Sequence, residues 1–289
     1  MKIKGLIITG IILTILGIGI TAVASTQIDF DNEFVGAFDD PNLEQKEQTF
    51  GEIARVIYDA STEGIEIVYG EGDNALTYWE SKKITYEITY DEDTKTLSIE
   101  QDHKFSFFNF SIRNTKAKLV INSNLDEVEI DSSAGSVSIK SLTIGKADIE
   151  VSAGSVKLED SSISNLKIDS SAGSVSLQDT TVDTSHFELS AGSLSMKDCS
   201  ITEATIHSSA GGVSLKDTSF SVIDAHLSAG SLTLVGDILT QGKFKLSAGS
   251  LKMTLARSKE FYTVNGEGEG ESKIICDLSA GSKNITYSE

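Results

Sequence analysis

The stretch Ile168-Asp-Ser-Ser-Ala-Gly-Ser-Val-Ser-Leu177 decides the fold, because the chain repeats it with only small changes. Nineteen residues later stands Phe187-Glu-Leu-Ser-Ala-Gly-Ser-Leu-Ser-Met196. The Ser-Ala-Gly core opens at Ser133, Ser152, Ser171, Ser190, Ser209, Ser228 and Ser247 with this constant spacing, and once more, at Ser279, after thirty-two residues. A fixed period of this length marks a solenoid, in which each repeat is one coil that buries its apolar face against the coils beside it.

Aligning the copies separates inside from outside. Three residues before each Ser stand Ile130, Ile149, Ile168, Phe187, Ile206, Ala225, Phe244 and Cys276. One before it, Ser alternates with Val or Leu. Four and six after it come pairs such as Val137 with Ile139 and Leu232 with Leu234, and eleven after it Ile144, Ile163, Val182, Ile201, Phe220 and Leu239. Period-two strands therefore flank the Ala-Gly corner, where glycine supplies positive φ or lets backbones approach where a Cβ will not fit. A second corner carries Asp160, Asp179, Asp198 and Asp217, a residue type suited to turns. The pattern predicts an all-β chain: a single-strand parallel β-solenoid of about eight coils, right-handed by the parallel crossover rule.

Outside the repeats the period changes. Gly64-Ile-Glu-Ile-Val-Tyr69, Ala75-Leu-Thr-Tyr-Trp79, Ile84-Thr-Tyr-Glu-Ile-Thr-Tyr90 and Thr96-Leu-Ser-Ile99 alternate apolar with polar residues between turn residues. They read as a small antiparallel sheet over 50–117 that caps the solenoid of 118–289. The run Lys104-Phe-Ser-Phe-Phe-Asn-Phe110 reads as aromatic cover for the junction between them. Residues 25–49, acidic and holding the only proline, Pro41, read as a spacer with one helical turn after that proline.

Lys2 and Lys4 precede an uncharged stretch over 5–24, about 30 Å long as a helix, which matches a bilayer core. The predicted N-terminal transmembrane helix has its start in the cytoplasm and the bulk of the chain outside. Ala22-Val23-Ala24 also fits a signal-peptidase site, and cleavage after Ala24 would release a secreted protein. At the other end, Lys283 falls in a row held elsewhere by Val or Leu, a charge that guards an open edge. Cys199 and Cys276 lie too many coils apart for a disulfide, so two free thiols are expected.

The formal charge of -19 excludes nucleic acid as a partner and favours cations or basic partners. A transmembrane start, the stretch Ile-Glu-Ile-Val-Tyr-Gly-Glu-Gly-Asp-Asn-Ala from Ile65, Tyr86-Glu-Ile-Thr-Tyr90 and the repeated Ser-Ala-Gly-Ser-Val-Ser-Leu resemble a known bacterial family. That family is labelled "putative adhesin", a β-strand-repeat domain of unknown function that includes Lia-type proteins of Gram-positive cell-envelope stress systems. The resemblance covers about residues 50–289 and implies architecture; it supplies no catalytic residues.

Candidate chemistry lies on the outward row two residues before each Ser: Asp131, Glu150, Asp169, Glu188, His207, His226, Lys245 and Asp277. Adjacent carboxylates at about 4.8 Å repel by about 0.9 kcal/mol even at the dielectric of water. A divalent cation such as Ca²⁺ bridging Asp131, Glu150 and Asp169 would relieve this, and so would a solvated, salt-screened face. Glu188, His207 and His226, with His186 on the same face, form a Zn²⁺-like set beside the plainer reading of a surface histidine patch. Catalysis is not expected. Arginine is nearly absent from the coils, and a serine repeated eight times at a corner has no unique base beside it.

The sequence thus predicts a membrane-anchored, extracytoplasmic, non-catalytic and adhesin-like protein. Its expected partners are the membrane through the N-terminal helix and, outside, cell wall, cationic peptides or envelope proteins, with no resident cofactor beyond a divalent cation. The alternatives are a modulator of a cell-envelope stress response, implied by the resemblance, and a carbohydrate-active β-helix enzyme.

Overall fold

A computed structural model describes residues 43–103 and 116–288. The apolar segment at 1–24, the spacer up to residue 42 and the aromatic run at 104–110 lie outside the described residues. Among the described residues no helix is long and apolar enough to cross a membrane.

The nineteen-residue period becomes a parallel register. Strands β8 (Leu125–Ala134) and β9 (Val137–Lys140) stop on either side of the Ala-Gly corner, β10 (Thr143–Glu159), β11 (Ser162–Gln178) and β12 (Thr181–Lys197) run through it and end at the second corner, and β13 (Ser200–Leu255) runs through both. Ile149 pairs with Ile130 on one side and Ile168 on the other, Ile168 with Phe187, and Phe187 with Ile206. Like residues stack on like, as in a β-solenoid.

Both expected uses of the corner glycine are present. Gly173 has φ +146, and a Cβ there would lie 1.7 Å from the Gly154 carbonyl oxygen of the preceding coil. At the second corner Asp160, Asp179, Asp198 and Asp217 take φ between 48 and 53, a left-handed conformation that Asp tolerates better than most residues. Just after it, a buried hydroxyl or thiol is satisfied within the turn. Ser161 Oγ, Thr180 Oγ1, Cys199 Sγ and Thr218 Oγ1 each donate to the carbonyl two residues back, at 2.7, 2.8, 3.2 and 2.9 Å. Both cysteines are free and buried, and burial pushes the Cys276 thiol up to about 11.

The core contains the predicted row before each Ser and one row beyond those predicted. The position before each Ser is buried whether it is Ser132, Val151, Ser170 or Leu189, and so is the row of Val128, Ala147, Leu166, Ser185, Ala204 and Ile223. These rows conserve volume within a coil. Bulky Phe244 sits beside Gly242, where a Cβ would come 2.8 Å from the ring, and the coil with small Ala225 carries Phe220. One predicted core residue is misplaced: Leu239 is 39% exposed and Ile238 is fully buried. That coil turns one residue earlier, through Gly236 at φ +158 packed against the Thr218 carbonyl, so the apolar position moves back by one.

The region before the repeats departs most from expectation. β2 (Arg55–Ala60), β3 (Gly64–Tyr69), β6 (Thr96–His103) and β7 (Lys116–Ile121) do not form a separate antiparallel sheet. β2 pairs in parallel with both β8 and β6, and β3 in parallel with both β9 and β7. The pair β2–β3 is thus a degenerate repeat wedged between β6–β7 and β8–β9, out of chain order. Antiparallel pairing is confined to the outer strands: β1 (Glu44–Phe50) with β4 (Asn74–Glu80), β4 with β7, and β5 (Ile84–Asp91) with β6. Residues 44–50, expected at the end of the spacer after a helical turn, are strand: every side chain but that of Phe50 is exposed, and pairing with β4 satisfies the backbone along a sheet edge.

The far end is closed by the insertion. β14 (Tyr262–Val264) adds in parallel to β15 (Ser272–Leu278), and the Asn265 side chain accepts from the Cys276 N–H at 2.7 Å while donating to its carbonyl at 3.3 Å. Tyr262 donates to Asp237 Oδ1 at 2.7 Å, and Arg257 pairs with Asp237 and lies over the Phe261 ring at 4.3 Å. In the last strand, β16 (Gly281–Tyr287), Lys283 stands in register with Leu251 and is exposed, as an edge guard should be.

Candidate functional site: an outward ladder of carboxylates and histidines

Alternation along each strand sends the residue between two buried rows to solvent, and the parallel register then lines these residues up. Glu150 pairs with Asp131 and Asp169, Asp169 with Glu188, and Glu188 with His207. Asp131, Glu150, Asp169 and Glu188 therefore form the ladder read from the sequence. The out-of-order coils extend it. Asp131 also pairs with Asp59, Asp59 with Glu100, and Glu100 with Glu87.

The result is one file of carboxylates running Glu87, Glu100, Asp59, Asp131, Glu150, Asp169, Glu188. The sequence alone does not show the first three: in the coil of Asp59, Ser-Thr-Glu-Gly replaces Ser-Ala-Gly-Ser, while Glu100 and Glu87 join only through the pairing of β6 with β2 and of β5 with β6. A signal was present: Tyr58-Asp-Ala-Ser-Thr-Glu-Gly-Ile-Glu-Ile67 matches Ile130-Asp-Ser-Ser-Ala-Gly-Ser-Val-Ser-Ile139 in length and in apolar positions.

Neutralisation along the file is uneven. Lys167 pairs with Asp169 at 2.7 Å and with Asp148 at 3.4 Å. Arg55 and Lys146 hold Glu127, on a parallel row, at 3.1 and 2.7 Å. Among the described residues Glu87, Glu100, Asp59, Asp131 and Glu150 make no ion pair. Partial burial, then the Glu150 and Asp59 carboxylates, raise Asp131 above the ordinary aspartate range. Glu87 and Glu100 also line a groove of about 450 Å³ together with Thr85, Tyr86 and Asp102.

Beyond Glu188 the ladder changes chemistry. Glu188 Oε1 lies 3.1 Å from His186 Nε2, two residues back on its own strand, and 2.7 Å from His207 Nδ1 on the next coil. The His226 ring follows, its centroid 5.3 Å from that of His207, and its Nε2 lies 2.9 Å from Asp224. The four predicted residues His186, Glu188, His207 and His226 are thus contiguous. Asp131, Glu150 and Asp169 form a line and do not converge on a point, so they offer a cation an extended surface in place of a cage.

Residues 55–269 match the family model described as Toastrack DUF4097. No curated protein matches the sequence. Among solved structures, one described as a "putative adhesin" from Parabacteroides distasonis ATCC 8503 is similar at 11% identity with a TM-score of 0.55, over 86% of this chain and 98% of that one. Another "putative adhesin", from Parabacteroides merdae ATCC 43184, is similar at 10% identity and a TM-score of 0.52, over 85% and 97%. A "putative lipid binding protein", also from P. distasonis ATCC 8503, is similar at 15% identity and 0.51, over 85% and 97%. At these identities the likeness is one of fold.

Proposed function

The chain belongs to the Toastrack DUF4097 family, and from that premise we propose that it is a non-catalytic, adhesin-like binding protein of the cell envelope. In this reading it is a right-handed solenoid held outside the membrane by the N-terminal apolar segment. Its carboxylate ladder is the binding face, and its partner is cationic: a basic peptide, or a basic segment of an envelope protein.

The observation that carries the reading is the file from Glu87 to Glu150. Five carboxylates stand in pairing register without an ion-pair partner among the described residues, a like-charge arrangement that a polycation would stabilise along its whole length. The adhesin names of the structural neighbours agree with this reading.

The test uses the full-length protein in detergent and a lysine-rich peptide as probe, with isolated cell wall in parallel. Binding should weaken steeply with salt, because exposed charges are screened over about 8 to 10 Å at ordinary ionic strength. The triple variant Asp59→Asn, Asp131→Asn, Glu150→Gln should lose about tenfold or more in affinity, taking about 0.5 kcal/mol for each exposed charge contact. Failure to bind either probe, or unchanged binding by the triple variant, sinks the reading. Protease added to intact cells checks the topology: digestion of the repeats from outside is expected.

A further inference from the structure

The histidine end of the ladder has a geometry that the carboxylate file lacks. His186, Glu188 and His207 each offer one ligand atom, and these three atoms lie within 4.8 Å of one another, close enough for a single ion to draw them together. The two contacts, 3.1 and 2.7 Å, are slightly shorter than the ligand-to-ligand edge of a tetrahedron, which bonds of about 2.0 to 2.1 Å from zinc to nitrogen or oxygen set at about 3.3 Å, so the donors need only spread by a few tenths of an ångström.

The sheet fixes the triangle. His186 and Glu188 lie two apart on β12 and so project from one face, and Glu188 is in direct register with His207 on β13. Their neighbours Phe187 and Ile206 are fully buried and anchor both strands. Little rearrangement is needed to bring the three donor atoms to one ion.

We propose that His186, Glu188 and His207 form a binding site for a transition-metal dication of the zinc class. Two imidazoles and one carboxylate are a donor set that zinc accepts with an open fourth position, and imidazole nitrogen selects against Ca²⁺ and Mg²⁺, which take oxygen ligands. For ligation the proton of His186 resides on Nδ1 and that of His207 on Nε2. The fourth position faces solvent, on the side where His226 stands with Asp224 at 2.9 Å. A water, or a donor group from a partner, completes the shell there. This site does not depend on the polycation reading, because the five carboxylates that carry that reading, Glu87 to Glu150 along the file, are not among its ligands.

The experiment titrates tag-free full-length protein with zinc chloride by calorimetry at neutral pH, and follows cobalt(II) by its visible absorption. One ion per chain is expected, with cobalt bands of a low-coordinate site that zinc displaces. His186→Ala and His207→Ala should each weaken binding by about tenfold or more, the scale set by loss of even an outer-shell partner. Binding should also weaken in acid, since a protonated imidazole offers no lone pair.

A triple variant of Asp59, Asp131 and Glu150 to amides should bind zinc as the parent does, which separates this site from the ladder. Absence of saturable one-to-one binding overturns the proposal, and so does binding that survives both histidine variants. Circular dichroism of each variant confirms that the strands are retained; because all three side chains are solvent-exposed by a third or more, folding is expected to be unaffected.

Discussion

The coils from Thr143 to Leu255 and the strands from Glu44 to Ile121 use the same stacking to build the same outward ladder, but they solve the corner differently. In the regular coils the corner is backbone on backbone: Gly173 against Gly154, Gly192 against Gly173, with no side chain involved. In the coil of β2 and β3 the corner is Ser61-Thr-Glu-Gly64, and side chains support it. Tyr58 donates to the Glu63 and Gly64 carbonyls at 3.2 and 3.3 Å, Gln101 Oε1 accepts from the N–H of Thr62 at 3.2 Å, and Tyr86 donates to the buried Glu63 carboxylate at 2.5 Å. A repeat can therefore drift in sequence once polar side chains from neighbouring strands take over the corner.

The largest expected effect tests the backbone-on-backbone corner. Gly173→Ala places a methyl group 1.7 Å from a carbonyl oxygen at φ +146, and neither can move without opening two coils. A loss of about 3 kcal/mol or more is expected, in the class of backbone strain combined with overpacking. Gly135→Ala, at the boundary with the irregular coil, meets the Glu63 oxygen at 2.6 Å without a positive φ, and should cost about half as much. Urea denaturation and hydrogen exchange of the flanking strands give both values; equal losses would break the comparison.

Tyr58→Phe tests the corner held by side chains. Removing a buried hydroxyl that serves two carbonyls should cost about 1 kcal/mol, read as a lowered thermal midpoint with faster exchange at residues 61–64. No change would mean that Gln101 and Tyr86 hold this corner without it.

The smallest effect lies on the ladder that the two regions share. Asp131 has a folded-state pKa raised by burial and by Glu150 and Asp59, so the folded protein binds this proton more tightly than the unfolded chain does. The ionised carboxylate therefore destabilises the fold above the raised value. That cost disappears as pH falls through the raised value toward the ordinary aspartate value of about 3.9. Asp131→Asn should then stabilise by about 0.5 kcal/mol at pH 7, discounted for solvent screening, and by nothing below about pH 4. A variant that is less stable at pH 7 would show that Asp131 is held by attraction.

Much of the candidate site was legible before the structure. Asp131, Glu150, Asp169, Glu188, His207 and His226 share one offset from Ser-Ala-Gly, and that offset alone places them in a line. His186 is legible from strand alternation. The extension through Asp59, Glu100 and Glu87 was not, because their alignment depends on which strand lies beside which. The row beginning Val128 and Ala147 escaped for another reason: its members range from Ser185 to Ile223, so hydrophobicity does not mark it, and only the volume of neighbours such as Phe187 and Phe244 explains the choice.

The sequence by itself determined the coil: its length, its glycine corner, its aspartate corner and the alternation that separates core from ladder. Each of these rests on residues close together in the chain, where φ preference and the two-residue strand period act directly. Only the tertiary structure decided the order of the coils, with β2 and β3 between β6–β7 and β8–β9, and the closing of the far edge by Asn265 and Tyr262. Parallel strands recognise each other through backbone groups that are the same in every strand. The choice of neighbour therefore leaves no periodic mark, and it is settled by which side chains fill the space between the coils.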